Sequence, residues 1–495
     1  MLQHLAPKDF EPETITLDGR TLRYRSCRGV RYCERPQDPI QVLNIFVPEA
    51  YFEGGSISGY TAETAPVFCP STVGGYMPGP AAEPGPDHFF PTNAVFEALA
   101  HGYVIAGIGV RGRTTGSTST EFFMGGSVEA REAAATGRLC GRAPAFIVDL
   151  KAGIRYLRTY AQDVPGDLGR IVTNGTSAGG AHSALAGTSG DSSDYTDELE
   201  CIGAVMDASD AIFAASCYCP IHNLDHADMA YEWQFKGIAD CHYTHFRKRD
   251  GKIVKISEDS VLTAEQQELS EELACAFPVY VRSLGLTDKD GTSLTLAEDG
   301  TGSFLDWIER QLIASAQREL ETGANTQNLP QLMTEGSAPE ALSCLSIEDG
   351  TVKGIDWPAF VRTITRMKPC PAFDALDLHS PENEEFGTED IIARHFTAFS
   401  QEHTAMPAEL APDRTIRMMN PLSYVSSPGC CTHWRIRHGS YDRDTSLAIP
   451  AILALSLANA GKDVDFRYPW GLPHSGDYDL PELFSWIDGL CLNGR

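Results

Sequence analysis

The sequence holds 495 residues, 42% of them apolar and 9% aromatic, enough to bury a sizeable core. Lys and Arg number 39 against 67 Asp and Glu, a formal charge of −28; a field of that sign repels nucleic acid and anionic lipid, so neither is expected as a partner. The length exceeds that of a usual single domain and predicts either two domains or one large domain with an insertion.

The opening MLQHLAPKDFEPET has no basic start followed by an apolar run, so no secretory signal is expected there. No apolar run reaches the length of a membrane span. The 14 cysteines are scattered, far sparser than in disulfide scaffolds. Cys217/Cys219 and Cys430/Cys431 form close pairs without the second matching pair that a zinc site needs. The expectation is reduced, mostly buried thiols in a cytoplasm, with no metal.

Short apolar runs come first along the chain. "VLNIFV" (42–47), "PVFC" (66–69) and "YVIAGIGV" (103–110) read as strands buried on both faces. A helix follows, with Pro144 in its first turn and Phe146, Ile147, Leu150, Ile154 and Leu157 on one apolar face. "RIVTNG" (170–175) is the next expected strand and "IGAVMDAS" (202–209) the one after. Such alternation predicts an α/β fold with a mostly parallel, helix-covered sheet.

After about residue 210 the texture changes. Helices are expected at capping boxes, Thr263 with Gln266 and Ser303 with Asp306, separated by polar connections such as "TDKDGTS". Alternation resumes with strand "THWRIRHG" (432–439), helix "SLAIPAILALSLANAG" (446–461), strand "VDFRYP" (464–469) and a final helix "LPELFSWIDGLCL". The expected organisation is a core in two parts, 1–211 and 416–495, interrupted by a mainly helical insertion over 212–415.

Ser177 lies in Gly-Thr-Ser-Ala-Gly between an expected strand and an expected helix. A Gly-x-Ser-x-Gly turn alone says little. Between a buried strand and a helix it matches the nucleophile elbow of α/β-hydrolases, in which a strained serine backbone needs small neighbours. The elbow predicts an acid and then a histidine, each on a loop after a later strand. His474 in "YPWGLPHSGD" follows strand 464–469; Asp442 and Asp444 in "IRHGSYDRDTS" follow strand 432–439. Asp207 and Asp210 are the rival acids. Oxyanion donors are expected at the Ala178 N–H and in "CPSTVGGYM", at Gly74 or Gly75.

The stretches "GTSAGG", "STVGGYM", "PAFIVDLKAGIRYL", "CYCPIHNLDHADMAYEWQF", "PENEEFG" and "HGSYDRDTS" together resemble the intracellular bacterial tannases, over most of the chain. The resemblance implies an α/β-hydrolase with a large lid-like insertion, hydrolysing ester and depside bonds of gallic acid without metal or cofactor. It implies Ser177 as nucleophile, Asp442 as orienting acid and His474 as general base. It also places Asp444, Lys368 and Glu382 at the positions that hold the galloyl hydroxyls, with Glu384 and Glu385 as near neighbours of the last. Three adjacent ring hydroxyls donate well to carboxylates and accept from an ammonium, which suits that set.

One departure refines the resemblance. Fungal tannases and related feruloyl esterases bridge a cysteine before the serine to one after the histidine; here those positions are Thr176 and Ser475. The partner class expected is therefore a small-molecule galloyl ester, in a reducing compartment. The alternatives are another aromatic carboxylesterase, such as a feruloyl esterase, and a catalytically inactive hydrolase fold used for binding. Cleavage of methyl ferulate but not methyl gallate marks the first, and failure of Ser177 to take a fluorophosphonate marks the second.

Overall fold

The computed structural model describes residues 1–87, 90–116, 139–249, 252–323, 343–404 and 406–492, with the backbone alone over 244–256. Strands β1 (Glu11–Leu17) and β2 (Arg20–Arg31) begin the chain as an antiparallel hairpin. Asp18 and Gly19 between them both have positive φ, 49° and 70°, the geometry that Asp-Gly favours in a two-residue turn. Strands β3 (Val42–Pro48), β4 (Pro66–Pro70), β5 (Val104–Ile108), β6 (Asp167–Thr176) and β7 (Ala214–Tyr218) follow. Helices Ala94–His101, Ala145–Tyr160 and Ala178–Thr188 are threaded between them. Two hairpins come next, β8 (Asp240–Arg249) with β9 (Lys252–Val261) and β10 (Leu345–Glu348) with β11 (Thr351–Ile355). The last strands are β12 (His433–Arg437) and β13 (Asp463–Arg467).

The main sheet has the order β1-β2-β3-β5-β4-β6-β7-β12-β13. Every pair from β5 to β13 is parallel, and the β1–β2–β3–β5 side is antiparallel. Thr176 pairs with Tyr218, Tyr218 with Arg437, and Arg437 with Arg467. That register sets the carboxyl ends of β6, β7, β12 and β13 in one row, so the loops leaving them meet at one edge, where sites of open α/β sheets form.

The helices are covered because their sequences are apolar or small. In Ala448–Asn459 the side chains of Ile449, Ile452 and Leu453 are fully buried; each such burial is worth roughly 1.5–3 kcal/mol. Every residue of Ala178–Thr188 is buried, and its Ala, Gly and Ser content lets it lie tightly on β6 and β7. No helix among the described residues is long and apolar enough to cross a membrane.

Most expected elements stand within a few residues of their expected limits, but three differ. Residues 202–209 are not a strand. Helix Thr196–Ile202 ends at Gly203 in the left-handed conformation (φ 67°), and a loop leads to β7, whose sequence AASCY hides its strand character in small side chains. Because β7 lies in the main sheet, the segment outside the sheet runs from about 219 to 432 rather than from 212. Ser303 does not cap its helix: Gly302 holds the cap position, while Ser303 Oγ donates to the Ser293 carbonyl at 3.1 Å and accepts from Thr295 N–H at 2.9 Å. The Thr263–Gln266 capping box forms as expected.

The segment between β7 and β12 is helical with two hairpins, and it is joined to the core through aromatic rings. Trp233 packs on Phe277 and Trp357, and Trp357 on Phe360. Phe360 then stacks on Trp470 at 5.7 Å and meets Tyr441 edge-on at 6.1 Å. Tyr441 and Trp470 belong to the loops after β12 and β13, so the inserted segment rests on the two loops where Asp442 and His474 lie.

Candidate active site

Ser177 stands between β6 and the helix Ala178–Thr188 with φ 63° and ψ −124°. A serine rarely holds positive φ, and the strain persists only where its surroundings over-determine it. They do here. Ser177 N–H donates to the Tyr218 carbonyl at 3.0 Å, and the Ser177 carbonyl accepts from Ala181 and Ile221 at 3.0 and 3.2 Å. A Cβ on Gly175 would lie 2.2 Å from the Gly179 carbonyl oxygen, and one on Gly179 would lie 2.8 Å from the Val73 carbonyl oxygen. Gly175 is thus required by the turn itself, and Gly179 by the loop packed against it.

The second contact sets the loop after β4 against the start of the serine's helix. Ala178 opens that helix, where N–H groups lack intrahelical partners and the dipole favours negative charge. In the loop, Gly75 and Tyr76 both have positive φ, 53° and 56°. The Gly74 carbonyl accepts from Met77 N–H at 2.9 Å and the Gly75 carbonyl from Arg113 Nε at 2.9 Å. With those carbonyls occupied, the backbone of the loop is held in place beside Ala178.

Asp442 and His474 meet directly: Nδ1 lies 2.6 Å from Oδ2. The Asp442 side chain is fully buried, and its Oδ1 accepts from Asp444 N–H at 2.8 Å. Burial works against the Asp442 carboxylate, but His474 and His438 outweigh it and leave the group below its ordinary pKa. For His474, burial disfavours the imidazolium, yet Asp442, with Cys219 and Asp444 in support, holds it well above its ordinary value. The loop beyond His474 packs on the elbow so closely that a Cβ on Gly476 would lie 1.9 Å from Thr176 Oγ1.

The residues expected to bind the ring hydroxyls form a continuous set with the histidine. Asp444 Oδ2 lies 4.0 Å from His474 Nδ1, and Asp444 Oδ1 lies 3.5 Å from Lys368 Nζ. Lys368 Nζ also sits 4.1 Å over the Phe373 ring, a favourable placement for a cation. Glu382 is buried; burial raises its carboxyl above the usual range, Asp444 adds to that, and Lys368 and Arg113 oppose it. Its neighbours differ. Glu384 is held in a buried ion pair with Arg113, whereas Glu385 is raised well above the usual range by burial against the pull of Arg142 and Arg113.

The rival acids lie elsewhere. Asp207 and Asp210 precede β7 instead of following a strand, at the end of β7 away from Ser177, since Phe213 N–H bonds the Ile171 carbonyl just before the β6–β7 pairing that runs on to Thr176. Asp210 is buried between Lys151 Nζ at 2.7 Å and Arg155 Nε at 2.6 Å; it fastens the helix Ala145–Tyr160 to the loop.

Cys219, met in the sequence only as half of a close cysteine pair, and His438 are further neighbours of the histidine and its acid. Cys219 has φ 33°; its Sγ lies 3.9 Å from His474 Nε2 and donates to the Ser475 carbonyl at 3.4 Å. The signal for Cys219 is its position directly after β7, a strand whose small side chains hide it in the sequence. His438 is fully buried 3.7 Å from Asp442 Oδ2, and burial lowers it to about 4, so it is neutral at ordinary pH. Among the described residues, the metal-type cluster is Cys219, Asp442 and His474, whose carboxylate and imidazole are already bonded to each other. All 14 cysteines are free thiols, and at Thr176 and Ser475 no bridge is possible.

A strained serine at a strand-to-helix turn, above a mostly parallel sheet, makes this protein an α/β-hydrolase. The BD-FAE family model matches residues 138–280, and no curated protein matches the chain. Solved structures match almost end to end. A tannin acyl hydrolase in complex with ethyl gallate is 46% identical, with a TM-score of 0.86, covering 99% of this chain and 98% of that one. Tannase from Lactobacillus plantarum is 45% identical (TM-score 0.88, 98% of each chain). Fusobacterium nucleatum tannase is 40% identical (TM-score 0.88, 98% of this chain and 99% of that one). The chain belongs to the tannase family, the tannin acyl hydrolases, and is a carboxylic ester hydrolase.

Proposed function

We propose that this chain hydrolyses galloyl esters, including depsides, with Ser177 as nucleophile, His474 as general base and acid, and Asp442 as the group that orients the imidazole. His474 Nε2 takes the Ser177 proton as Oγ attacks the galloyl carbonyl carbon. The carbonyl oxygen becomes an anion, received by the Ala178 N–H and a second N–H from the Gly74–Gly75 loop. Collapse breaks the ester bond, and His474 gives its proton to the departing alcohol oxygen. Water, deprotonated by His474, then attacks the acyl-enzyme; Ser177 leaves with the proton, and gallic acid is released.

The observation that carries the substrate reading is the unbroken set Asp442–His474–Asp444–Lys368, with separations of 2.6, 4.0 and 3.5 Å, and Glu382 within the field of Lys368 and Asp444. A catalytic pair flanked directly by a carboxylate and an ammonium suits an acyl group whose ring carries vicinal hydroxyls. The ethyl gallate bound to a relative 46% identical to this chain fits the same substrate class. The segment between β7 and β12 serves as the lid, since Lys368 and Glu382 reach the site from it. The proposed steps call on side chains and backbone N–H groups alone, and Thr176 and Ser475 at the bridge positions suit a reducing cytoplasm.

The test is an ester panel of methyl gallate, methyl protocatechuate, methyl ferulate and methyl benzoate. The expected kcat/KM order places gallate first, protocatechuate next, and ferulate and benzoate far behind. Ferulate in first place sinks the galloyl reading.

A further inference from the structure

The short helix Pro381–Glu385 is held from behind. Asn383, between Glu382 and Glu384, caps its start through Ser380. Asn383 also donates Nδ2 to Asp374 Oδ1 at 2.7 Å and to the Arg394 carbonyl at 3.0 Å. Asp374 is fully buried and collects further donors: His395 Nδ1 at 2.6 Å, Phe396 and Thr397 N–H at 3.0 and 2.8 Å, and Thr397 Oγ1 at 2.7 Å. Such saturation fixes a carboxylate in one orientation.

The same residue is tied to the lysine. Asp228, on helix Leu224–Gln234, accepts from Phe373 N–H at 2.7 Å and from Asp374 N–H at 3.0 Å. Phe373 is the ring beneath the Lys368 ammonium. One side of Asp374 therefore reaches Glu382 through Asn383, and the other reaches Lys368 through Phe373.

We propose that Asp374 is a positioning residue for acyl-group recognition, locking Glu382 and Lys368 at one fixed separation so that both meet the hydroxyls of a single aromatic ring. This rests on the galloyl reading above and deepens it: selectivity for vicinal hydroxyls depends on the hub as well as on the groups that touch substrate. Asp374 itself contacts neither the reacting atoms nor the ring, and Asn383 acts only by transmitting its position.

The experiment measures kcat and KM of Asn383→Ala, Asp374→Asn and Lys368→Ala on methyl gallate and on p-nitrophenyl acetate, with circular dichroism melts of each protein. For Asn383→Ala, kcat/KM on methyl gallate falls about tenfold, chiefly through KM, while that on p-nitrophenyl acetate stays within about twofold. Asp374→Asn shows the same split, and if it fails to fold, Asn383→Ala decides. Equal falls on both substrates, or no change on either, overturn the positioning role. If Lys368→Ala changes the substrate ratio and Asn383→Ala does not, the hub proposal fails and the galloyl reading stands. If Lys368→Ala leaves the ratio unchanged, the reading fails and the hub with it.

Discussion

The Lys368 ammonium lies 3.5 Å from Oδ1 of Asp444, whose other oxygen lies 4.0 Å from His474 Nδ1, so a cation and an anion together adjoin the histidine proposed as the base. Hydrogen bonds from substrate to such charged groups are worth roughly 1.5–3 kcal/mol each once desolvated. Lys368→Ala should therefore lower the ratio of methyl gallate to p-nitrophenyl acetate hydrolysis roughly ten- to a hundredfold. Steady-state kinetics on the two esters measures it. Asp444→Ala should lower the ratio too, with a general loss added because its N–H bonds Asp442.

Ser177→Ala and His474→Ala should each remove at least about four orders of magnitude from kcat with an unchanged fold, and Asp442→Ala should cost about as much. Asp210→Ala behaves differently. It strands Lys151 and Arg155 without their buried partner, at roughly 3–5 kcal/mol of stability. The folded fraction should keep its kcat. Urea unfolding together with kinetics separates the two outcomes, and a crippled, fully stable Asp210→Ala enzyme would reassign the acid.

The proposed mechanism needs His474 neutral, and its pKa is held well above the ordinary value against burial, chiefly by Asp442. The active form therefore accumulates only as pH rises through that raised value, and kcat/KM should climb with an acid limb above pH 6.5, the ordinary histidine value. Asp442→Asn removes the charge that raises it, so the limb should move to lower pH in what activity remains. A pH–rate profile with its limb below 6.5 in the native enzyme contradicts this.

Gly175→Ala would place a methyl group 2.2 Å from the Gly179 carbonyl oxygen, backbone that cannot turn aside. The elbow must open, taking Ser177 and the Ala178 N–H out of line. A fall of about a hundredfold in kcat together with a lower Tm is expected, read from burst kinetics and a thermal melt.

The chemistry assigned to Ser177, His474 and Asp442 asks nothing of a metal, so chelator treatment should leave kcat/KM unchanged. With free thiols at all 14 cysteines, dithiothreitol should not lower Tm. Loss of activity in EDTA, restored by a divalent ion, would return attention to Cys219 beside His474.

The central strands β3, β4 and β5 were legible because they are nearly continuous apolar runs, the mark of strands covered on both faces. The elbow was legible because its sterics admit so few residues. The hairpin β8–β9 was not: its strands DCHYTHFRKR and KIVKISEDSV are rich in charged and polar residues, and it stands outside the main sheet. β7 is hidden because Ala-Ala-Ser-Cys-Tyr carries little bulk, and the place of Cys219 at a strand end is hidden with it. Asp442 and Asp444 stay equivalent on the residues alone; only the 2.6 Å bond from His474 separates them. The Asp374 hub joins residues from 228 to 397 and has no local pattern to betray it.

The ring-to-ring path from Trp233 through Trp357 and Phe360 to Tyr441 and Trp470 has a thermodynamic meaning. Loosening the inserted segment removes ring contacts from the loops of Asp442 and His474, so the two parts should melt together. Calorimetry should find one transition with matching calorimetric and van't Hoff enthalpies, and a minimal hydrolase cannot be made by excising the insertion.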